Sequence, residues 1–452
     1  MFSERMRTFF VVWFGQMISI TGSGLTYFAL GVRVFQDTGS VTQYAFILVF
    51  TVLPRLFIGP IGGVLTDRWN RRHVMIISDV GAGLATVAIL VLSATNNLQI
   101  WHIYVATAVN SAFAAFQLPA YLAASTQLVP KDRIEQAAGM VQLGEATTII
   151  APLFAGFLLP VVGLNGILAI DFGTFLFALI TLLLVRFPNV AATAAGSAAR
   201  SGIVGEIIHA WRHLAAKPGL MALLGFFAVS NFLVGSVEVL VTPLILILAD
   251  ERTLGVILFA GGIGVLVGSI VMSVWAGPSR RMYTIFGAMF LSGFWIAVAG
   301  STTWLPLLII SAFLIFLCQP AIRATSQVIF QKKIELDLQG RVFSLRDVVA
   351  QASFPVAQLL AGPLTDDFFE PLMAADGRLA GTVGRIIGVG PGRGIGLGFI
   401  VMGALTMIVT LIALNYAPLR LVEDRIPDVV SAESPARGPA VSTPETSQVV
   451  GS

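Results

Sequence analysis

Charged residues are scarce in this sequence and make up only 11% of its 452 residues. Hydrophobic residues make up 56%, and the mean hydropathy of +0.87 lies far outside the usual balance of a soluble protein. A soluble fold with so apolar a surface would precipitate. The composition therefore excludes a soluble globular protein and indicates a membrane protein.

Cysteine is almost absent too, because Cys318 is the only one in the chain. A single cysteine excludes an internal disulfide and a thiolate metal cluster. The net charge of +3 is spread over separate loops and forms no continuous basic stripe. We therefore expect no nucleic-acid partner.

The sequence also lacks convincing motifs for nucleotide or metal binding. The glycine-rich stretch 390–396 lacks the Lys-Ser/Thr ending of a phosphate loop, and Gly262, Gly264 and Gly268 follow no strand. Glu206, His209 and His213 have metal-compatible spacing, but a solvated polar face explains them better. The sequence predicts no cofactor, no metal and no enzymatic activity.

Twelve apolar segments are long enough to cross a bilayer, which takes roughly 20 residues. The segment that follows Met1–Thr8 is too long for a signal peptide and is interpreted as the first span. The predicted spans are 9–32, 43–66, 74–95, 101–123, 137–161, 165–187, 219–248, 254–276, 283–302, 304–328, 342–365 and 394–417.

The basic residues predict the orientation of these spans. With the N-terminus inside, 19 of the 27 lysines and arginines fall in interior loops and tails and 5 in exterior loops. Because cytoplasmic loops carry the excess of basic residues, both termini are predicted to be cytoplasmic.

The longest interior connection divides the spans into six and six. We predict an N-terminal six-helix bundle (1–187), a cytoplasmic linker with an interfacial helix (188–218), a C-terminal six-helix bundle (219–417) and a disordered cytoplasmic tail (418–452). The fold class is all-α, a membrane protein with twelve transmembrane helices.

The two halves repeat each other. Twenty residues separate Pro119 from Gly139 in the first half and Pro320 from Gly340 in the second. The fifth and eleventh spans carry small residues and proline at like depth, which predicts helix-packing hinges at Ala151, Pro152, Gly156, Gly362 and Pro363. Two parallel repeats imply a pseudo-two-fold axis along the membrane normal and a cavity between the halves, which is the geometry of alternating access.

A glycine-led charge cluster, Gly63 to Arg72, joins the second and third spans. It resembles the loop signature of the major facilitator superfamily, and further motifs resemble the branch with bacterial macrolide efflux proteins and the enterobactin exporter. The resemblance implies that Asp67 faces the start of the eleventh span, where amides and the helix dipole favour an anion. The cytoplasmic gate expected from this interpretation comprises Gly63, Asp67, Arg68, Arg71, Arg72, Asp79, Arg341 and Asp347. Asp79, one turn into the third span, is expected to pair with the loop arginines.

Three acids lie inside apolar spans, namely Glu145, Asp171 and Glu238. An acid there is costly unless it is paired or protonated, so each is a candidate for proton coupling or for holding a cationic substrate. Asp171 lies near the exterior end of its span, so a structural role in contact with water explains it as well as a coupling role does. Arg55, in the middle of the second span, could pair with one of these acids or receive an anionic substrate group.

The interpretation is a multi-pass transporter of the bacterial cytoplasmic membrane. We expect it to export an amphipathic small molecule, such as a macrolide-like drug or a siderophore-like metabolite. No ATPase motif is present, so an ion gradient is expected to drive export, and the intramembrane acids and the resemblance imply proton antiport. The expected partners are lipid, substrate and a coupling proton, with no oligomer required. The resemblance would place a buried arginine in the fourth span, but residues 100–118 contain none, so coupling through such a residue is not expected. Nutrient uptake and a non-transporting membrane sensor or assembly partner remain open as alternatives.

Overall fold

The structure is a computed structural model that describes residues 4–130, 133–185, 211–212, 214–215, 217–275 and 280–428. Within these ranges the description excludes the side chains at 4, 5, 60, 61, 63–68, 135, 145, 336, 337, 340, 341 and 344. The described residues form helices and connecting turns, without a strand. Eleven of the described helices are long and apolar enough to cross a membrane.

One of these eleven helices is a hairpin. Ile134–Leu184 contains a break at Gly163, where φ is +68°, a value that glycine adopts without a steric penalty. Both arms contact the same depth of the first helix, because Trp13 donates to the Met140 carbonyl and Gly15 packs on Thr181. The chain therefore turns back at Gly163, and the described residues make the twelve crossings that the sequence predicts.

The first six crossings form the N-lobe. We label them α1 Glu4–Thr38, α2 Val41–Arg68, α3 Arg71–Ala94, α4 Ile100–Leu128, α5 (134–162) and α6 (164–184).

The other six crossings form the C-lobe. They are α7 Pro218–Leu248, α8 Glu251–Val274, α9 Arg281–Ser301, α10 (Leu305–Leu317 and Gln319–Lys333), α11 Leu336–Pro363 and α12 Arg393–Asn415. α10 breaks at Cys318, just before Pro320, whose ring cannot continue an α-helix without loss of a hydrogen bond. α11 continues through the π-helical turn Leu364–Phe369 into Glu370–Met373.

The helices alternate in direction, so the bundle has two ends. The end at which α1 begins and α12 ends is called the terminal face, and it carries Arg71, Arg72 and Lys333. The opposite end, with the α1–α2 turn at Gly39 and the break at Gly163, is called the distal face. Each lobe has apolar clusters of its own, and the largest cluster joins residues of both lobes.

The segment after α12 differs from the prediction of disorder. It forms two helical turns, Ala417–Arg420 and Val422–Arg425, and Leu419 and Val422 are buried against the C-lobe. We call residues 416–428 the C-terminal strap. The rest of the predicted tail, and most of the predicted linker helix, lie outside the described residues.

Candidate functional site

Asp171 on α6 lies in the interior of the N-lobe, with 3% of its surface exposed. Its carboxylate accepts hydrogen bonds from Thr26 on α1 (2.8 Å), Ser23 on α1 (3.3 Å) and Thr86 on α3 (3.3 Å). No described cation pairs with it. Burying a carboxylate anion costs free energy unless hydrogen bonds or a cation compensate for the lost water. Among the described residues, these three hydroxyl groups are the only such compensation for Asp171.

Asp79 on α3 is the second buried acid of the N-lobe, with 2% exposed. The amide of Gln16 on α1 donates to one carboxylate oxygen (3.1 Å), and the amide of Gln117 on α4 donates to the other and to the Gln16 side chain. The sequence predicted loop arginines as partners of Asp79. The structure corrects this interpretation, since Asp79 lies about two turns inside α3, where glutamines of two neighbouring helices reach it.

Asp79 and Asp171 both face α1. Their partners Gln16, Ser23 and Thr26 lie seven and three residues apart, and this spacing places them on one face of the helix. The two acids are therefore joined by one polar stripe inside the N-lobe.

Glu238 on α7 has a different environment. Its side chain is exposed, yet protein surrounds it on most sides, as expected of a residue that lines an internal cavity. Tyr44 on α2 lies within electrostatic range, and its hydroxyl donates to Thr242 on α7 (2.9 Å). Glu238 therefore lies beside a contact between the lobes.

Arg55 on α2 is exposed, and no described acid forms an ion pair with it. Tyr27 on α1 is within electrostatic range of both Arg55 and Asp171. The predicted pairing of Arg55 with an intramembrane acid is therefore absent from the described contacts.

Several predicted residues lie outside the described side chains, namely Glu145, Gly63, Asp67, Arg68 and Arg341. Arg71 and Arg72 are described, and they donate to carbonyls of their own lobe. Arg72 reaches Leu182 (3.0 Å) and Leu183 (2.8 Å) at the end of α6, and Arg71 reaches Ala123 of α4 (3.4 Å). These contacts place positive charge on helix C-termini, where the dipole favours it.

Asp347 on α11 pairs with the adjacent Arg346 (3.0 Å). The Arg346 guanidinium also donates to Gln327 and lies over the rings of Phe330 and Phe343. These partners all belong to the C-lobe, so the contacts that Asp347 makes with described residues lie within that lobe.

Apart from Ala151, which packs within the N-lobe, the predicted hinge residues lie where the lobes meet. A β-carbon on Gly156 of α5 would lie 2.5 Å from the Glu251 carbonyl of α8, and one on Gly255 would lie 2.6 Å from the Pro152 carbonyl. One on Gly362 of α11, next to Pro363, would lie 2.6 Å from the Thr42 α-carbon of α2. Ala151 is fully buried against Gly24 of α1. Small residues thus allow close packing of α5 on α8 and of α11 on α2.

Polar contacts accompany this packing, and we call the whole the distal seam: Gln36, Ser40–Tyr44, Pro152–Gly156, Thr242, Glu251–Gly255 and Gly362–Asp366. Gln36 donates to Glu251, and Asp366 accepts from Ser40, Val41 and Thr42. All inter-lobe hydrogen bonds between described residues lie here. Sequence reasoning missed Asp366 and Tyr44, because their partners lie in the opposite lobe, 326 and 198 residues away along the chain.

No group of histidine, cysteine and acidic residues suited to a metal ion occurs in the described part of the chain. Glu206, His209 and His213, for which the sequence favoured a solvated polar face over a metal site, lie outside that part. The site consists of the N-lobe stripe, Glu238, Arg55 and the distal seam.

Comparison with known proteins agrees with this architecture. The family model described as Major Facilitator Superfamily matches residues 12–358. Macrolide efflux protein A of Streptococcus pyogenes is 27% identical over 373 residues, which covers 79% of this chain and 89% of that protein. Multidrug efflux pump Tap of Mycolicibacterium fortuitum is 25% identical over 369 residues, 79% of this chain and 88% of that one.

A solved structure shows the same fold. The bacterial homologue of the human lysosomal transporter Spinster, in an inward-facing and unoccupied conformation, has a TM-score of 0.66 at 15% identity. The match covers 94% of this chain and 98% of that chain.

Proposed function

The chain belongs to the major facilitator superfamily and is a membrane transporter rather than an enzyme, and from this premise we propose that it exports an amphipathic small molecule by proton antiport. The names of the relatives support efflux, since two of them are a macrolide efflux protein and a multidrug efflux pump. We propose a macrolide-like drug or a siderophore-like metabolite as the substrate.

The distal seam is the observation that carries this proposal. With the lobes in contact at the distal face, we propose that a cavity between them opens at the terminal face. Glu238 is accessible inside the protein, about 15 Å from the distal end of α7 by helical rise. We propose that the arginine-rich terminal face is cytoplasmic, so that substrate enters this state from the cytoplasm, as an exporter requires.

The N-lobe stripe supports proton coupling. Asp171 and Asp79 are buried acids without a described cation, and an intramembrane acid of this kind is a functional candidate by default. Asp79 therefore joins Asp171, Glu145 and Glu238 among the proposed coupling residues. Each oxygen of the Asp79 carboxylate accepts from one amide, so a proton on either oxygen would add a donor where an amide N–H already donates. We propose that protonation thereby alters the contact of α1 with α3 and α4.

Arg55 and the gate residues complete the proposal. An exposed guanidinium without an ion pair to a described acid can receive an anionic group of the substrate, or pair with an intramembrane acid of the opposite lobe such as Glu238 when the lobes move. Gly63, Asp67, Arg68, Arg71, Arg72, Arg341 and Asp347 remain the proposed cytoplasmic gate, in the part of the cycle where the terminal face closes.

Transport into everted membrane vesicles tests the export proposal. Vesicles that contain the protein should accumulate a radiolabelled macrolide, or in a parallel assay a labelled catecholate siderophore, when respiration establishes a proton gradient. A protonophore should abolish the accumulation. Vesicles that accumulate neither probe, while right-side-out cells take one up, would contradict export and favour uptake.

The variant Glu238→Gln separates two roles of this acid. If Glu238 only exchanges protons, gradient-driven accumulation disappears while exchange of labelled for unlabelled substrate without a gradient persists. If Glu238 holds a cationic substrate, both activities disappear. Glu335→Gln is the matched control, because Glu335 is an exposed acid at the start of α11 without a side-chain capping bond. Unchanged transport by Glu238→Gln would remove this residue from the site.

A further inference from the structure

We propose that Asp366 is an inter-lobe latch, which holds the distal face closed by capping the N-terminus of α2 from the opposite lobe. The proposal concerns the balance between the two access states. It does not depend on which substrate is carried or which ion drives transport.

The first turn of α2 has amides that no residue of its own helix can satisfy. The carboxylate of Asp366 accepts from the Val41 amide with one oxygen (3.1 Å), and from the Thr42 amide (2.9 Å) and the Ser40 hydroxyl (2.7 Å) with the other. The Gln43 amide donates to the Ser40 hydroxyl (3.2 Å). Two of these first amides thus depend on an acid that another lobe supplies.

The charge of Asp366 suits this position. An anion at a helix N-terminus is favoured by the helix dipole, and hydrogen bonds to a charged acceptor are stronger than neutral ones. Gly362, four residues before Asp366, allows α11 to approach the start of α2 closely, because a β-carbon at Gly362 would lie 2.6 Å from the Thr42 α-carbon. Asp366 lies in the π-helical turn Leu364–Phe369, a rare geometry that often occurs at functional sites.

The contact can exist in only one of the two access states. If the lobes separate at the distal face, the amides of Val41 and Thr42 lose Asp366 and must bind water. A contact made in one state and not in the other shifts the equilibrium toward the state that has it. At the terminal face the predicted contact has the opposite arrangement. There Asp67, at the end of α2, is expected to face the start of α11, whereas at the distal face Asp366, at the end of α11, caps the start of α2.

The test measures the distance between the lobes directly. Spin labels are attached to the full-length protein in nanodiscs at Asn97→Cys and Thr303→Cys, which are exposed positions in distal loops of the N-lobe and the C-lobe. The native Cys318 is replaced by alanine. Pulsed electron resonance then gives the distribution of inter-lobe distances without substrate.

We expect the unaltered protein to show mainly the short distance of the closed distal face. Asp366→Ala should raise the ratio of long to short distances by about tenfold, the effect of losing hydrogen bonds to a charged group. Asp366→Asn should act in the same direction, because its NH2 group would face a backbone N–H. Ser40→Ala, which removes one of the three donors to Asp366, should have a smaller effect.

Asp367→Asn is the matched control, since Asp367 is the next residue and is exposed. It should leave the distance distribution unchanged. The latch is contradicted if folded Asp366→Asn protein gives the distribution of the unaltered protein, or if Asp367→Asn shifts it equally. Neither result would affect the export proposal, which is tested by transport.

Discussion

The helix pair α3–α6 of the N-lobe and the pair α9–α12 of the C-lobe occupy equivalent places in the repeat, yet they pack differently. α9 and α12 touch through backbone, because a β-carbon on Gly300 would lie 2.3 Å from the Gly396 carbonyl and one on Gly403 would lie 2.5 Å from the Gly293 carbonyl. Between α3 and α6 the glycine Gly83 instead meets the ring of a phenylalanine, and Asp171 and Thr86 meet by hydrogen bonding. Only the N-lobe pair leaves room for an acid.

Buried charge follows the same division. The buried acids among the described residues are Asp79 and Asp171, both in the N-lobe and without a described cation. The buried cation among them is Lys333, at the terminal end of the C-lobe, and it is neutralised by the C-terminal strap. Among the proposed coupling residues whose side chains are described, the two that are buried therefore lie in the N-lobe, whereas Glu238 of the C-lobe is exposed beside the contact between the lobes.

The largest expected effect comes from removing the acid of the N-lobe pair. Asp171→Asn keeps the size of the side chain and one acceptor for the three hydroxyls, but it cannot release a proton. We expect gradient-driven accumulation in everted vesicles to fall to background, while substrate exchange without a gradient continues. Asp376→Asn, at an exposed loop position, is the control and should transport normally.

A structural role of Asp171 would give another result. In that case Asp171→Asn would lower thermal stability and expression, and accumulation and exchange would fall together. Full accumulation by the variant at all pH values would show that the difference between the two helix pairs has no part in coupling.

The sequence predicted the membrane-spanning helices, because hydropathy is a local signal. The small residues at the predicted hinges pack closely, and their hinge role stays a prediction. Long-range partners could not be predicted from the sequence. Asp171 was recognised as an intramembrane acid, but its hydroxyl shell comes from α1 and α3, which only the fold brings together. Asp79 was assigned to the loop arginines because they are near in sequence. The strap was missed because its acids, Glu423 and Asp428, have their partners about 90 to 140 residues earlier.

The next effect tests the backbone contact of the C-lobe pair. Gly300→Ala should lower the free energy of unfolding by about 2 kcal/mol, because a backbone carbonyl cannot move away as a side chain can. Gly83→Ala should lower the free energy of unfolding by less, because the end of the Phe175 ring can shift. Gly287→Ala on α9, with nothing within 4 Å of its would-be β-carbon, is the control. Thermal unfolding in detergent measures all three. Equal losses of stability for Gly300→Ala and Gly83→Ala would show that the two helix pairs do not differ in how tightly they pack.

The smallest effect concerns the charge that the C-lobe does bury. The Lys333 ammonium donates to the carbonyls of Glu423 (2.6 Å) and Ile426 and pairs with Asp428 (2.8 Å). Lys333→Met should lower the free energy of unfolding by about 1 to 2 kcal/mol, and the more exposed Lys332→Met should change it little.

The ion pair between Lys333 and Asp428 also has a defined pH dependence. The hydrogen bond from Lys333 holds the pKa of Asp428 below its ordinary value. An acid of this kind contributes stability above its unfolded pKa of about 3.9 and loses it as the pH falls through the folded pKa. The difference in melting temperature between Lys333→Met and the unaltered protein should therefore be constant from about pH 5 to pH 8. A difference that changes within this range would mean that a group in contact with Lys333 titrates near neutral pH, in a part of the C-lobe to which no coupling role is assigned.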